Sequence, residues 1–266
     1  MSLAVGRGPF GERPAGASNL PGLPATVLYL EDRPRRVRAV LGGETVADTD
    51  RVKLLHETGT PAVYYFPAGD VRTELLRPSG TRTVSEVKGT AVYYSVAAGG
   101  KVAADACCAY PDPPPEAPPL SGYLAFTWEA MDAWFEEDER VHLEPRDPYH
   151  RVDVLAGSRR VCVEVAGRVL ADSGRPLVVY ETGARPRYYL PADDVDAGVL
   201  VAGPTTSRCQ YKGLATYWTV ESAEGRVHDL AWTYAEPNAE AARLAGHICF
   251  RQERAEVTVT VDGRTA

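Results

Sequence analysis

Sliding the 266-residue sequence along itself by 124 positions aligns residues 35–126 with 159–250 without a gap, and 31 of those 92 positions are identical. Composition alone gives about one match in fifteen to twenty. The matches fall in blocks: Arg35-Arg36-Val37 with 159–161, Glu57-Thr58-Gly59 with 181–183, Tyr64-Tyr65 with Tyr188-Tyr189, Lys88-Gly89 with Lys212-Gly213. A period this long exceeds the 20–50 residues of solenoids and propellers, so each copy must bury a core of its own. The chain therefore reads as two tandem domains.

The expected boundaries are a flexible leader at 1–23, a divergent N-terminal domain at 24–127, a joining segment at 128–157 and a C-terminal domain at 158–266. The leader carries five glycines and three prolines with little apolar periodicity. In the joining segment, Trp128, Met131, Trp134 and Phe135 suggest a short amphipathic stretch that docks on one of the domains. The two copies are expected to pack on each other.

Within each copy the apolar pattern is that of strands. Val161–Val165 is apolar at odd positions, and 177–180, 187–190 and 214–220 are short β-branched or aromatic runs punctuated by Gly and Pro. The expected fold class is all-β, with at most a helical turn near Pro237–Leu244.

A net charge of -7 opposes the broad basic surface that phosphate backbones require, so nucleic acid is not an expected partner. No apolar stretch reaches the length of a membrane span. The expected location is the cytoplasm. Five cysteines, two of them adjacent, do not form a disulfide framework.

The ordered set Arg160-Val161, Ala171-Asp172-Ser173, Glu181-Thr182-Gly183, Tyr188-Tyr189-Leu190-Pro191, Asp194-Val195, Cys209-x-Tyr211-Lys212-Gly213, Tyr217-Trp218 and Trp232-x-Tyr234 resembles the family called domain of unknown function 427, in both copies. The resemblance implies two small β domains of the Mss4-like or β-tent type, folded antiparallel sheets around a pocket. Some catalogues label that family a nucleotidyltransferase. The chain has neither a phosphate-cradling loop nor spaced carboxylates for Mg²⁺, and the label is discounted on that ground. Relatives of the wider fold hold zinc through paired Cys-x-x-Cys knuckles, which this chain lacks. No metal or cofactor is expected. The N-terminal copy has Ser85, Val87 and Cys108 where the C-terminal one has Cys209, Tyr211 and Trp232, so a retained site is expected in the C-terminal copy.

Polar residues present in both copies are the candidates for chemistry. Glu181 and Lys212, with Glu57 and Lys88 as counterparts, place a carboxylate and an ammonium in each copy that can hold a polar ligand or exchange protons. The structural alternative has the same pair locking the sheet. Tyr188, Tyr211, Trp218 and Trp232 offer apolar faces with polar tips, suited to a flat heterocycle or a cation, and ordinary core packing is the competing role. Tyr64 is the first-copy equivalent of Tyr188. Asp194 and Asp70 complete the candidate set and equally suit turns. No histidine occurs at matching places in both copies, which leaves the Ser–His or Cys–His arrangements of covalent catalysis unsupported. The function expected is the binding of a small polar or aromatic ligand in the C-terminal domain. The alternatives are a hydrolase- or transferase-type enzyme using the Glu–Lys pair, and an interaction module without a pocket.

Overall fold

The structure is a computed structural model that describes residues 3–17, 19, 22–222 and 225–266. Residues 1, 2, 18, 20 and 21 of the expected leader lie outside the described residues. The chain divides into two compact units, residues 1–150 and 151–266.

The first unit contains β1 (Leu28–Asp32), β2 (Val37–Leu41), β3 (Glu44–Thr49), β4 (Lys53–Glu57), β5 (Thr60–Pro67) and β6 (Leu76–Ser85). It continues with β7 (Gly89–Ala98), β8 (Lys101–Ala109), β9 (Tyr123–Phe126), β10 (Ala133–Glu136) and β11 (Glu139–Val141). The second unit contains β12 (Val152–Ala156), β13 (Val161–Val165), β14 (Arg168–Ser173), β15 (Leu177–Glu181), β16 (Arg187–Pro191) and β17 (Leu200–Cys209). After these come β18 (Gly213–Ser222), β19 (Gly225–Pro237), β20 (His247–Phe250), β21 (Val257–Val261) and β22 (Arg264–Thr265). Among the described residues the helical segments are short 3-10 turns, including one at Ala239–Leu244, where the sequence predicts a helical turn.

Each unit folds as a seven-stranded and a four-stranded sheet with antiparallel pairings throughout, and the strand orders correspond. The first large sheet runs β1-β4-β5-β9-β8-β7-β6 and the second β12-β15-β16-β20-β19-β18-β17. The small sheets run β11-β10-β2-β3 and β22-β21-β13-β14. An all-β fold in two copies is thus the architecture, as the period predicts.

Alternation along the strands gives the large sheet two buried faces. In the second unit Tyr188, Leu190, Ile248 and Phe250 point between the two sheets into a core with Val161, Val163 and Val259. Their neighbours Tyr189 and Cys249 point to the opposite face, into a second cluster with Leu177, Tyr234 and Leu244. The first unit repeats this arrangement, with Phe66, Val37 and Trp134 between the sheets and Tyr65, Tyr110 and Leu120 on the other face.

Residues 133–141, read from sequence as part of the joining segment, form β10 and β11 and complete the first unit's small sheet. Their equivalents are β21, which pairs with β13, and β22, which pairs with β21, and Trp134↔Ala39 is matched by Val259↔Val163. The offset between copies is therefore 125 residues here instead of 124, a one-residue insertion that lies beyond Phe250. Gly59 N–H donates to Ala4 O at 2.9 Å and the Thr58 hydroxyl to Phe10 O at 2.8 Å, which holds residues 4–10 on the turn after β4.

Candidate functional site

In the second unit one row of cross-strand neighbours crosses five strands: Leu177 faces Tyr189, Tyr189 faces Cys249, Cys249 faces Trp232, and Trp232 faces Tyr217. Residues directly opposite in a ladder share a face, and Tyr189, Trp232 and Tyr217 of this row floor a cavity on the side away from the small sheet. That cavity has a volume of about 260 Å³ and is walled by Tyr234, Glu181, Lys212, Arg187, Arg251 and Glu253. Trp232 Nε1–H donates to Tyr189 Oη at 3.0 Å, and the two rings meet edge to face with centroids 6.1 Å apart.

Lys212 and Glu181 form a hydrogen-bonded ion pair, with side chains 9% and 19% exposed. Glu181 ends β15, and Lys212 sits in the turn from β17 to β18. Lys212 enters the cavity because Gly213 takes φ +106°, a conformation that L side chains rarely adopt, and because a Cβ at Gly213 would lie 3.1 Å from Glu236 O. The turn is tied down from outside, where Asn238 N–H donates to Lys212 O at 3.1 Å and the Asn238 amide to Gln210 O at 2.9 Å. The Glu-Thr-Gly turn is fixed by Thr182, whose N–H donates to Arg151 O at 3.0 Å and whose hydroxyl accepts from Arg151 N–H at 2.8 Å.

At the other end, Arg187 makes a two-pronged pair with Glu253 at 2.9 and 2.5 Å and lies over the Trp232 ring at 5.5 Å. Burial pulls the Glu253 carboxyl up, but the Arg187 hydrogen bond, a backbone hydrogen bond and the Arg187 and Arg185 charges together hold it below its ordinary value. The Arg251 guanidinium lies over Tyr217 at 5.2 Å, and its buried Nε finds no hydrogen-bond partner among the described residues. Burial raises the Tyr189 and Tyr234 phenols and pushes the Cys249 thiol up to about 12, so all three are neutral at pH 7.

Of the residues singled out from sequence, Glu181, Lys212 and Trp232 converge on this cavity. Tyr188 and Trp218 point the opposite way, against the core between the sheets. Tyr211 lies in the β17–β18 turn, outside the cavity wall. Asp194 accepts from Ser173 at 2.7 Å and pairs with Arg175 at 2.9 Å, joining the small sheet to the turn after β16. In the first unit Glu57 and Lys88 pair as their counterparts do, and Asp70 accepts from Thr49 at 2.6 Å and Arg51 at 2.8 Å. Tyr64 is buried between the sheets with its hydroxyl on Glu136. Tyr189, Tyr217 and Tyr234 belong to the residues that carry the family resemblance but were not among the candidate ligand residues, and Arg187, Arg251 and Glu253 were not singled out at all. Tyr234 was within reach of the pattern, since it lies two residues from Trp232 on one strand face.

The model of the family described as domain of unknown function 427 matches residues 29–137 and again 153–262. The chain belongs to this family. The matched spans include the closing strands β10 and β21 and end before β11 and β22, and the 125-residue offset between their ends agrees with the insertion seen in the fold. No curated protein matches the chain. Among the described residues no helix is long and apolar enough to cross a membrane.

Proposed function

We propose that the second domain of unknown function 427 binds a small polar aromatic molecule in the cavity floored by Tyr189, Trp232 and Tyr217. The observation that carries this reading is the convergence of the Lys212–Glu181 pair, two arginines and one row of aromatic rings on a single concavity. Aromatic faces supply stacking area and the charged groups fix orientation, the combination that small-molecule sites use. The lining carries three cations against two carboxylates, and Arg251 is the cation that makes no ion pair among the described residues. An anionic substituent on the ligand is the natural complement.

Binding is favoured over acid–base catalysis by Glu253. A general acid at neutral pH needs its carboxyl raised toward 7, and Arg187 moves this one in the opposite direction. The Mss4-like or β-tent description of the curled sheet belongs to the same proposal.

The test is a thermal-shift screen of the full chain against aromatic carboxylates and nucleobases, repeated with Arg251→Met and Trp232→Ala. A ligand at a hundredfold over its dissociation constant stabilises by roughly 2.7 kcal/mol. A hit that both substitutions abolish supports the site. A hit indifferent to both, or no hit across the library, removes it.

A further inference from the structure

The first unit has kept the geometry of the second unit's cavity and changed its chemistry. The corresponding row reads Tyr65, Ala125, Cys108, Tyr93, so a thiol stands where the second unit has the Trp232 indole and a methyl where it has the Cys249 thiol. The arginines are gone too: Val63 and Thr127 occupy the places of Arg187 and Arg251. Thr127 N–H donates to Ala106 O as Arg251 N–H donates to Leu230 O, which fixes that equivalence in space. Lys88, Glu57, Tyr65, Tyr93 and Tyr110 are unchanged.

Removing one indole and two guanidinium groups opens a cavity of about 590 Å³, which extends from Lys88 and Tyr110 past Cys108 to Trp128 and Trp134. This volume lies in the range of pockets that enclose drug-sized molecules. The two tryptophan rings are stacked, with centroids 4.5 Å apart and planes 6° from parallel, and the Trp134 indole N–H donates to Trp128 O. The Trp134 tip is thus satisfied within the wall, and half-buried Trp128, which backs onto the buried Trp134 ring, presents the flat apolar surface to a guest. At the far end the Lys88 ammonium is held by Glu57 and lies 5.4 Å from the Tyr110 ring centre. Burial alone would lower the Lys88 pKa, but Glu57 and Tyr110 outweigh it, so the group stays a cation and a donor. An ammonium has three N–H donors, so capacity remains for an oxygen on the guest after these two contacts. Glu129 and Glu144 at the mouth are exposed carboxylates, which disfavour an anion.

We propose that this cavity is a second ligand site that takes a neutral, largely apolar aromatic molecule with a hydroxyl or carbonyl oxygen directed at Lys88. It is separate from the second unit's site and stands without it.

The test is titration of the full chain with the neutral fluorophore N-phenylnaphthylamine and with its anionic relative anilinonaphthalene sulfonate. The neutral probe is expected to bind saturably and at least tenfold tighter than the sulfonate. Val63→Arg and Cys108→Trp install the residues that the second unit carries, and each is expected to weaken the neutral probe at least tenfold while the far-ultraviolet circular dichroism is retained. If Cys108→Trp fails to fold, Val63→Arg decides, because Val63 is only half-buried. No saturable binding, equal affinity for both probes, or unchanged affinity in the variants overturns the proposal. These variants share no residue with Arg251→Met and Trp232→Ala, so failure of one site is distinguishable from failure of the other.

Discussion

Lys212 and Glu181 are hydrogen-bonded partners although their strands are not neighbours. Glu181 ends β15, Lys212 precedes β18, and three strands lie between these in the sheet. At about 4.8 Å per strand, a flat sheet would put β15 and β18 roughly 19 Å apart. The large sheet must curl strongly to bring the two side chains together, and Lys88 and Glu57 show the same closure in the first unit. The pair holds the curl shut as well as lining the cavity.

Lys212→Met should therefore cost stability in the absence of any ligand. It strands a carboxylate that is only 19% exposed, a loss of about 1–3 kcal/mol. The double variant Lys212→Met with Glu181→Leu should recover part of that loss, because both desolvated charges are then gone. Urea unfolding of the single and double variants measures this, and a double variant worse than the sum of its parts would refute it.

His56 is 1% exposed in the first unit, with Nε2 2.9 Å from Glu31 Oε1 and Nδ1 3.8 Å from Asp147 Oδ2. The Tyr149 hydroxyl donates to the other Glu31 oxygen at 2.9 Å. Replacement by Leu keeps the bulk and removes the buried hydrogen bond to Glu31, so His56→Leu should lower stability by about 1–3 kcal/mol. The second unit has Tyr180 at the equivalent place, 43% exposed, and Tyr180→Leu should be near neutral in the same denaturation assay.

Asp70 is held below its ordinary value of 3.8 by Thr49 and Arg51, and Asp194 below the same value by Arg175 and Ser173. A lowered folded-state pKa gives stability that is full above the unfolded value and lost as pH falls through the folded one. Asp70→Asn with Asp194→Asn should thus weaken the protein at pH 7 and make little difference once both wild-type carboxyls are protonated. Urea midpoints measured from pH 7 down into strong acid should converge. A gap independent of pH would contradict the assignment.

Cys249 and Cys107 are buried, and burial pushes the Cys249 thiol up to about 12 and raises that of Cys107 further. Since the thiolate is the reactive form, a thiol reagent at pH 8 should modify Cys108, Cys162 and Cys209 well before these two, and all five promptly in denaturant. Peptide mapping of the modified protein identifies the order.

The duplication and the β class were legible because identity between copies is concentrated at turns and cavity residues, where few side chains suffice. The closing strands were not. Ala133–Glu136 and its partner Thr258–Val261 share no residue, because a strand needs only alternation and a fitting inner face, and Trp134 and Val259 meet that need differently. In the candidate site, Glu181 and Lys212 were readable as a repeated ion pair. Period two shows that Tyr188 and Tyr189 part company, but only the ladder tells which of them shares a face with Trp232. Arg187 and Arg251 carried no signal at all, being absent from the first copy.

The unlikeness of the two closing strands bears on how such a chain avoids tangling during synthesis. The first repeat stays a half-built sandwich, with Val37, Ala39 and Leu41 awaiting cover, until residues 133–141 emerge from the ribosome. Tandem homologous repeats are prone to exchange of matching segments. Here the segments do not interchange. Trp134 belongs opposite Ala39 with Trp128 stacked on it, and seating it in the place of Val259, opposite the bulkier Val163, would overpack a core built for valine. Divergence at this one strand lets each nascent half recognise its own end.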